Sequence, residues 1–193
     1  MSQWAKGVSV RSRARRNPFF FSLLVANVAL VLACSSSERK ADRQTAAPAV
    51  RQVDVAGIKQ AVERHRGRVV LLDIWATWCG PCLTQYPYLA KWQAKYGSDN
   101  LAIVSVSIDD LDDLSTKVIP FLAGQKTDGT DLLLYAQGDH DTMVNAIDPD
   151  WAGEVPALFL YDRDGRLRHS LTGEHEPAEV QALLDEMLRP SEG

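Results

Sequence analysis

Residues 71–82 read LLDIWATWCGPC, an apolar run that stops on two cysteines separated by Gly80 and Pro81. With Val69 and Val70 in front, VVLLDIW is continuous apolar sequence of the kind that forms a strand buried on both faces. The thiols therefore fall at a strand's end, and the sequence beyond them predicts a helix from the cysteines to about Tyr96, bent or interrupted at Pro87 because proline removes a backbone donor and crowds the preceding turn. Four chemistries use two closely spaced thiols: disulfide exchange, metal binding, peroxide attack, and the stapling of a turn.

Disulfide exchange needs one exposed thiolate, a second thiol within reach, and a reason for the first to ionise near neutral pH. Strand, Cys-X-X-Cys, helix supplies these. Cys79 at the amino-terminal edge of a helix meets unpaired backbone N–H groups and the positive end of the helix dipole. Cys82, one turn deeper, is shielded. In this reading Cys79 attacks a substrate disulfide, Cys82 resolves the mixed disulfide, and Gly80 and Pro81 tighten the turn. Asp73 stands inside the apolar strand, where an ionised carboxylate is costly, so either its pKa is raised or it is less buried than the pattern implies.

Outward from this stretch the periodicity alternates. Ile58, Ala61 and Val62 mark one face of a short helix before the strand. Leu101–Ile108 (LAIVSVSI) is a second buried strand, a helix over Leu111–Leu122 breaks near Pro120, Asp131–Ala136 is a third strand, and a short helix covers Thr142–Ile147. PALFLYD, the turn Arg163-Asp164-Gly165-Arg166 and LRHSLTG form a hairpin. Pro177 opens a last helix whose Val180, Leu183, Leu184, Met187 and Leu188 make one apolar stripe. The pattern is an α/β sandwich with a mixed sheet covered on both faces, and it shows neither an internal repeat nor a second domain.

The chain has 193 residues, 46% of them hydrophobic and 24% charged, which suits a single domain with a core. Charge is unevenly placed. Five of the 21 basic residues (Lys6, Arg11, Arg13, Arg15, Arg16) precede Cys34 and no acidic residue does, so the remainder carries 16 basic against 25 acidic residues. A body with that excess repels phosphate backbones, which argues against nucleic acid as a partner. The basic stretch runs into Phe19–Ala33, an apolar segment short for a bilayer span but suited to a signal peptide. Residues 1–33 therefore read as a signal peptide, and 34–52, polar and aperiodic, as a flexible tether of roughly 20 to 25 Å. The folded domain occupies 53–193.

Trp78-Cys79-Gly80-Pro81-Cys82, with Asp73 six residues before the first cysteine, resembles the active-site strand of thioredoxin. The fold this implies is the thioredoxin-like three-layer sandwich, here with a helix-strand insertion between the second strand and Pro156. An export signal, a tether, WATWCGPC and that insertion together resemble the membrane-tethered TlpA-like branch of thiol-disulfide oxidoreductases, over about Val53–Leu188. The resemblance implies a redox disulfide Cys79–Cys82, a buried Asp73 that relays a proton to or from Cys82, a cis peptide at Val155–Pro156 facing the cysteines, and substrate contacts through Trp78, Gly80, Pro81, Val155 and Pro156, while Trp75 reads as a core aromatic. Leu30–Cys34 (LVLAC) resembles the lipobox of bacterial lipoproteins, which implies acylation of Cys34 and a bacterial periplasm-facing protein held by the lipid membrane; ordinary cleaved secretion and an uncleaved anchor are the alternatives. Gly-Pro between the cysteines is thioredoxin's dipeptide and implies a reductase. In an oxidising compartment such an enzyme needs an integral-membrane thiol electron donor, with periplasmic protein disulfides as substrates; cytochrome c assembly is one setting the family suggests. No cofactor is called for.

Two positions depart from the family pattern. Gln85 stands where TlpA-like proteins commonly have Glu, so proton handling falls to Asp73, and Ala157 follows the proline where many relatives have Thr. The inserted segment, Asp110–Asp150, is a natural place for partner choice. Trp151, on its way back to the proline, reads equally as a substrate-facing aromatic or as a cover for the core.

Two rival chemistries remain from other classes. A metal (copper) chaperone would use the cysteine pair plus a distant histidine, but such proteins generally separate their cysteines by three residues, and His65, His140, His169 and His175 lack paired ligand spacing. His140, in Asp139-His140-Asp141, is the tempting cluster. A peroxiredoxin-like peroxidase needs a threonine three residues before its cysteine, whereas Thr77 stands two before Cys79. A purely structural staple gains little, because so short a loop removes little unfolded-state entropy.

Overall fold

The computed structural model describes residues 47–189. The expected signal peptide, Cys34 and most of the expected tether lie outside them. The described elements are β1 (Arg51–Val53), α1 (Val55–Glu63), β2 (Val69–Trp75), α2 (Gly80–Tyr96), β3 (Leu101–Ser107), α3 (Ile119–Ala123), β4 (Thr130–Tyr135), α4 (His140–Ile147), β5 (Ala157–Tyr161), β6 (Leu167–Thr172) and α5 (Pro177–Met187). Six strands form one mixed sheet in the order β1-β4-β3-β2-β5-β6. The first four run parallel, β5 runs antiparallel to β2, and β6 antiparallel to β5.

Alternation along β2 sorts the core into two layers. Val69, Leu71 and Trp75 point to a face shared with Cys79, Cys82, Tyr86, Leu89 and Trp92 from α2 and Val180 and Leu184 from α5. Val70, Leu72 and Ile74 point the other way, onto Ile58, Ala61 and Val62 of α1 and Met143 and Val144 of α4. Helices thus cover both faces of the sheet, which is the thioredoxin-like three-layer arrangement. Each fully buried large side chain, such as Leu72 or Phe159, contributes about 1.5–3 kcal/mol relative to its exposed state.

β2 and α2 position the thiols. Helix α2 buries Cys82, Gln85, Tyr86, Leu89 and Trp92, a spacing that keeps one stripe against the sheet. It runs uninterrupted through Pro87, where the expectation was a bend or break; the proline simply has no N–H to give the Leu83 carbonyl. In α3, Pro120 lies in the first turn, where a missing N–H is not needed. The long helix expected over Leu111–Leu122 is accordingly replaced by a tight 3₁₀ turn, Leu111–Asp113, a wide π turn, Leu114–Val118, and the short α3. The sheet also begins inside the stretch read as tether: Arg51 and Gln52 pair with Leu133 and Leu134 of β4. The hairpin closes as its sequence demands, with Gly165 at a φ of 77° and the Asp162 carboxylate accepting from the Asp164 and Arg166 N–H groups.

Candidate active site

Cys79 is the residue that caps α2. Its backbone is extended, and its Sγ accepts the Cys82 N–H at 3.2 Å. No acidic residue sits in the first turn to oppose a negative sulfur there. Cys79 and Cys82 are joined in a disulfide, with Cα atoms 5.3 Å apart. Cys82 is 2% exposed, and Cys79, expected as the exposed thiol, is also buried in the disulfide form at 6%. Gly80 and Pro81 between them are exposed, and Trp78 stands beside the disulfide at 64% exposure. Trp75, in contrast, is buried, stacked edge-on to Tyr86 at 4.9 Å and tilted against Phe121 at 5.1 Å.

The other end of the sheet register brings the proline loop to the same edge. Ile74 pairs with Ala157, so Pro156 sits beside the end of β2, and the Val155–Pro156 peptide is cis. Val155 packs against the cluster that contains both cysteines. The Pro156 carbonyl accepts from Gly173 N–H at 2.8 Å, which ties the loop to the end of β6.

Asp73 is 3% exposed and lies on the thiol-bearing face of β2. Burial pushes its carboxyl up from 3.8 to about 7, against a smaller downward pull from the Ser105 hydroxyl, which donates to Oδ2 at 3.2 Å. The sequence left two options for this residue, and the geometry is that of the buried acid. Ser105 is its direct register partner on β3, and the same Oγ lies 3.1 Å from the Tyr86 hydroxyl.

A second buried carboxylate was not anticipated. Asp109, 2% exposed, accepts the Thr77 N–H at 2.9 and 3.1 Å, the Thr77 hydroxyl, and the Ser107 hydroxyl at 2.7 Å. It therefore clamps the turn that presents Trp78 and Cys79. The signal that could have found it is Ser105 and Ser107 at alternate positions of an otherwise apolar strand, since two buried hydroxyls imply nearby acceptors.

Trp151 is a core residue: its ring meets Phe159 edge-on at 5.2 Å on the face opposite the thiols, and its Nε1–H donates to the Glu154 carbonyl at 2.9 Å. Gln85 is buried in α2. The histidines are dispersed. His65 meets Asp131 at 2.6 Å and His175 meets Glu179 at 3.5 Å, while His140 lies near Trp151, its ring 6.3 Å away. Among the described residues no group of three or more histidine, cysteine or acidic side chains is placed to hold a metal.

A disulfide set into the mouth of a helix, over a buried acid and beside a cis-proline loop, defines a thioredoxin-fold thiol-disulfide oxidoreductase. Comparison with known proteins agrees with that class: the sequence pattern of the AhpC/TSA family matches residues 44–170, and the chain belongs to that family. It is similar to a thioredoxin of Coprinus comatus, 41% identical over 51 residues that make up 26% of this chain and 48% of that one. It is also similar to the thiol-disulfide oxidoreductase ResA of Bacillus cereus, 27% identical over 134 residues, 69% of this chain and 72% of the relative. Among solved structures, a Chlorobium tepidum protein described as thiol:disulfide interchange protein DsbE superposes with a TM-score of 0.51 at 29% identity, over 66% of this chain and 82% of its own.

Proposed function

We propose that this protein is an exported reductant of protein disulfides, working through Cys79 and Cys82 with Asp73 as the proton carrier. The observation that carries the reading is the Cys79 sulfur at the cap of α2, receiving a backbone N–H, with Cys82 one turn behind it. In the reduced protein the Cys79 thiolate attacks one sulfur of a client disulfide. A Cys79–client disulfide forms, and the second client sulfur leaves as a thiolate that takes up a proton. Asp73 then accepts the Cys82 proton, and the Cys82 thiolate attacks Cys79 Sγ. The Cys79–client bond breaks, the remaining client sulfur leaves as a thiolate and takes up the proton that Asp73 received, and the enzyme is left with the Cys79–Cys82 disulfide. Two electrons have passed to the client, and an external dithiol must return them.

Trp78, Gly80 and Pro81, exposed around the disulfide, form the client-facing rim with the half-buried Val155, and the buried Pro156 backs it. Export and acylation at Cys34, supported by the amino-terminal sequence, and re-reduction by an integral-membrane thiol donor, which a reductase in an oxidising compartment requires, are part of the same proposal. The peroxidase reading is weaker because the Thr77 hydroxyl is already donated to Asp109 and is thereby withdrawn from peroxide chemistry. The copper reading lacks a clustered ligand set among the described residues.

The test is substitution of each thiol. Cys79→Ser abolishes insulin reduction, and Cys82→Ser accumulates mixed disulfides in cells that mass spectrometry identifies, naming clients and donor together. Appreciable turnover by the Cys79 variant, or a Cys82 variant that captures nothing, overturns the assignment.

A further inference from the structure

The buried acid does not stand alone on the thiol-bearing face. Tyr86 OH, Ser105 Oγ and Asp73 Oδ2 form a line with separations of 3.1 and 3.2 Å. Each comes from a different element: Tyr86 from α2, one turn beyond Cys82, Ser105 from β3, and Asp73 from β2. All three side chains are buried, and the Tyr86 ring is wedged between Trp75 and Phe121.

A serine hydroxyl has one hydrogen to give. Given to Asp73, it leaves Ser105 Oγ free to accept from the tyrosine, so the line polarises in one direction, from Tyr86 through Ser105 to Asp73. That direction suits a carboxylate at the receiving end. Reversing it would send the last hydrogen outward from Tyr86 into apolar surroundings. We propose that Ser105 and Tyr86 are positioning residues that orient the Asp73 carboxyl through Oδ2 and hold its ionised form, leaving Oδ1 as the oxygen that exchanges the proton with Cys82.

This rests on the role given to Asp73 in the proposed function. The groups facing Asp73 are few. On the same face of the sheet, α2 sets Cys79, Cys82 and Tyr86. β3 supplies Ser105 and β5 supplies Leu158, its antiparallel partner, neither of them charged. Asp109, beyond the end of β3, is engaged with Thr77 and Ser107, and among the described residues it is the other buried charged side chain. With no buried cation among the described residues to stabilise the carboxylate, hydroxyl donors are what this face offers it, and burial alone would favour the neutral acid further.

The experiment titrates Asp73 directly, by carboxyl carbon NMR on purified oxidised protein labelled at aspartate, in Ser105→Ala, Tyr86→Phe and Ser105→Thr. Loss of the Ser105 donor raises the Asp73 midpoint by about one pH unit and loss of the Tyr86 hydroxyl by about half of that, because a charge-assisted hydrogen bond and the bond behind it are removed in turn. Ser105→Thr, which keeps the hydroxyl, restores the midpoint. Tyr86→Phe keeps the ring and its packing, so it reports on the hydroxyl even where Ser105→Ala is poorly folded. A midpoint unmoved or lowered in the folded variants overturns the proposal. The alkaline movement of the midpoint reappears in the pH profile of disulfide exchange if Asp73 carries the Cys82 proton. A midpoint that moves while the exchange profile stays put upholds the hydroxyl line and instead removes Asp73 from the proposed chemistry.

Discussion

Replacing Asp73 by Asn removes a pH dependence of folding stability that follows from one buried carboxyl. The Asp73 pKa is raised by burial from 3.8 to about 7. Between those two values the folded protein holds a proton at Asp73 that the unfolded chain has released. Folding therefore takes up a proton, and stability falls as pH rises through this window. The penalty is absent below pH 3.8, grows by about 1.4 kcal/mol per pH unit, and is complete above pH 7, where it reaches about 4 kcal/mol.

Asn at position 73 cannot ionise, and its carbonyl still accepts from Ser105. The variant thus keeps a fixed offset from the parent below pH 4 and gains on it steadily to pH 7. The measurement is urea unfolding of both oxidised proteins at half-unit steps from pH 4 to 8, with the difference in stability plotted against pH. Every other titrating group cancels in that difference, and the disulfide keeps both thiols out of the titration. At about 3 °C per kcal/mol for a domain of this size, the variant melts roughly 10 °C higher relative to the parent at pH 8 than at pH 4. A difference that is flat across the range refutes the reasoning, since it means that Asp73 ionises in the fold as it does in water.

Two further outcomes concern the turn that carries the thiols. Asp109→Ala strands the Thr77 N–H, the Thr77 hydroxyl and the Ser107 hydroxyl; it costs about 2–3 kcal/mol in denaturant unfolding and lowers insulin reduction, because the clamp on the Trp78–Cys79 turn is lost. Trp78→Ala, at a position 64% exposed, leaves stability within about 0.5 kcal/mol of the parent but raises KM for a protein disulfide, read from steady-state kinetics beside a thermal melt.

The legible parts of this molecule are those where one local rule dominates. An unbroken apolar run announces β2, a cysteine pair after it announces the helix cap, and Asp-Gly announces the hairpin. Elements held by tertiary pairing were not visible in the same way. β1 has three residues of which only Val53 is buried, too little pattern for any periodicity, and it is a strand because β4 offers it an edge. Trp151 could not be placed because an aromatic in a loop is apolar whichever way it points; Phe159, on the opposite face of β5 from Leu158, decides it.

The polar atoms beneath the thiols form a third case. Asp73 alone reads as an anomaly in an apolar strand, and Ser105 alone as a tolerated small residue. They become one feature only through the parallel register that sets Asp73 against Ser105. The same strand, two residues on, presents Ser107 to Asp109, which in turn grips Thr77 beside the cysteine turn. Alternate positions of β3 thus serve the site at two depths: the inner serine addresses the acid that would handle the proton, and the outer serine addresses the acid that holds the backbone presenting the sulfur. Because hydrogen bonds in such a buried setting are costly to leave unmade, the two serines tie the chemistry of the cysteine pair to the packing of the sheet itself.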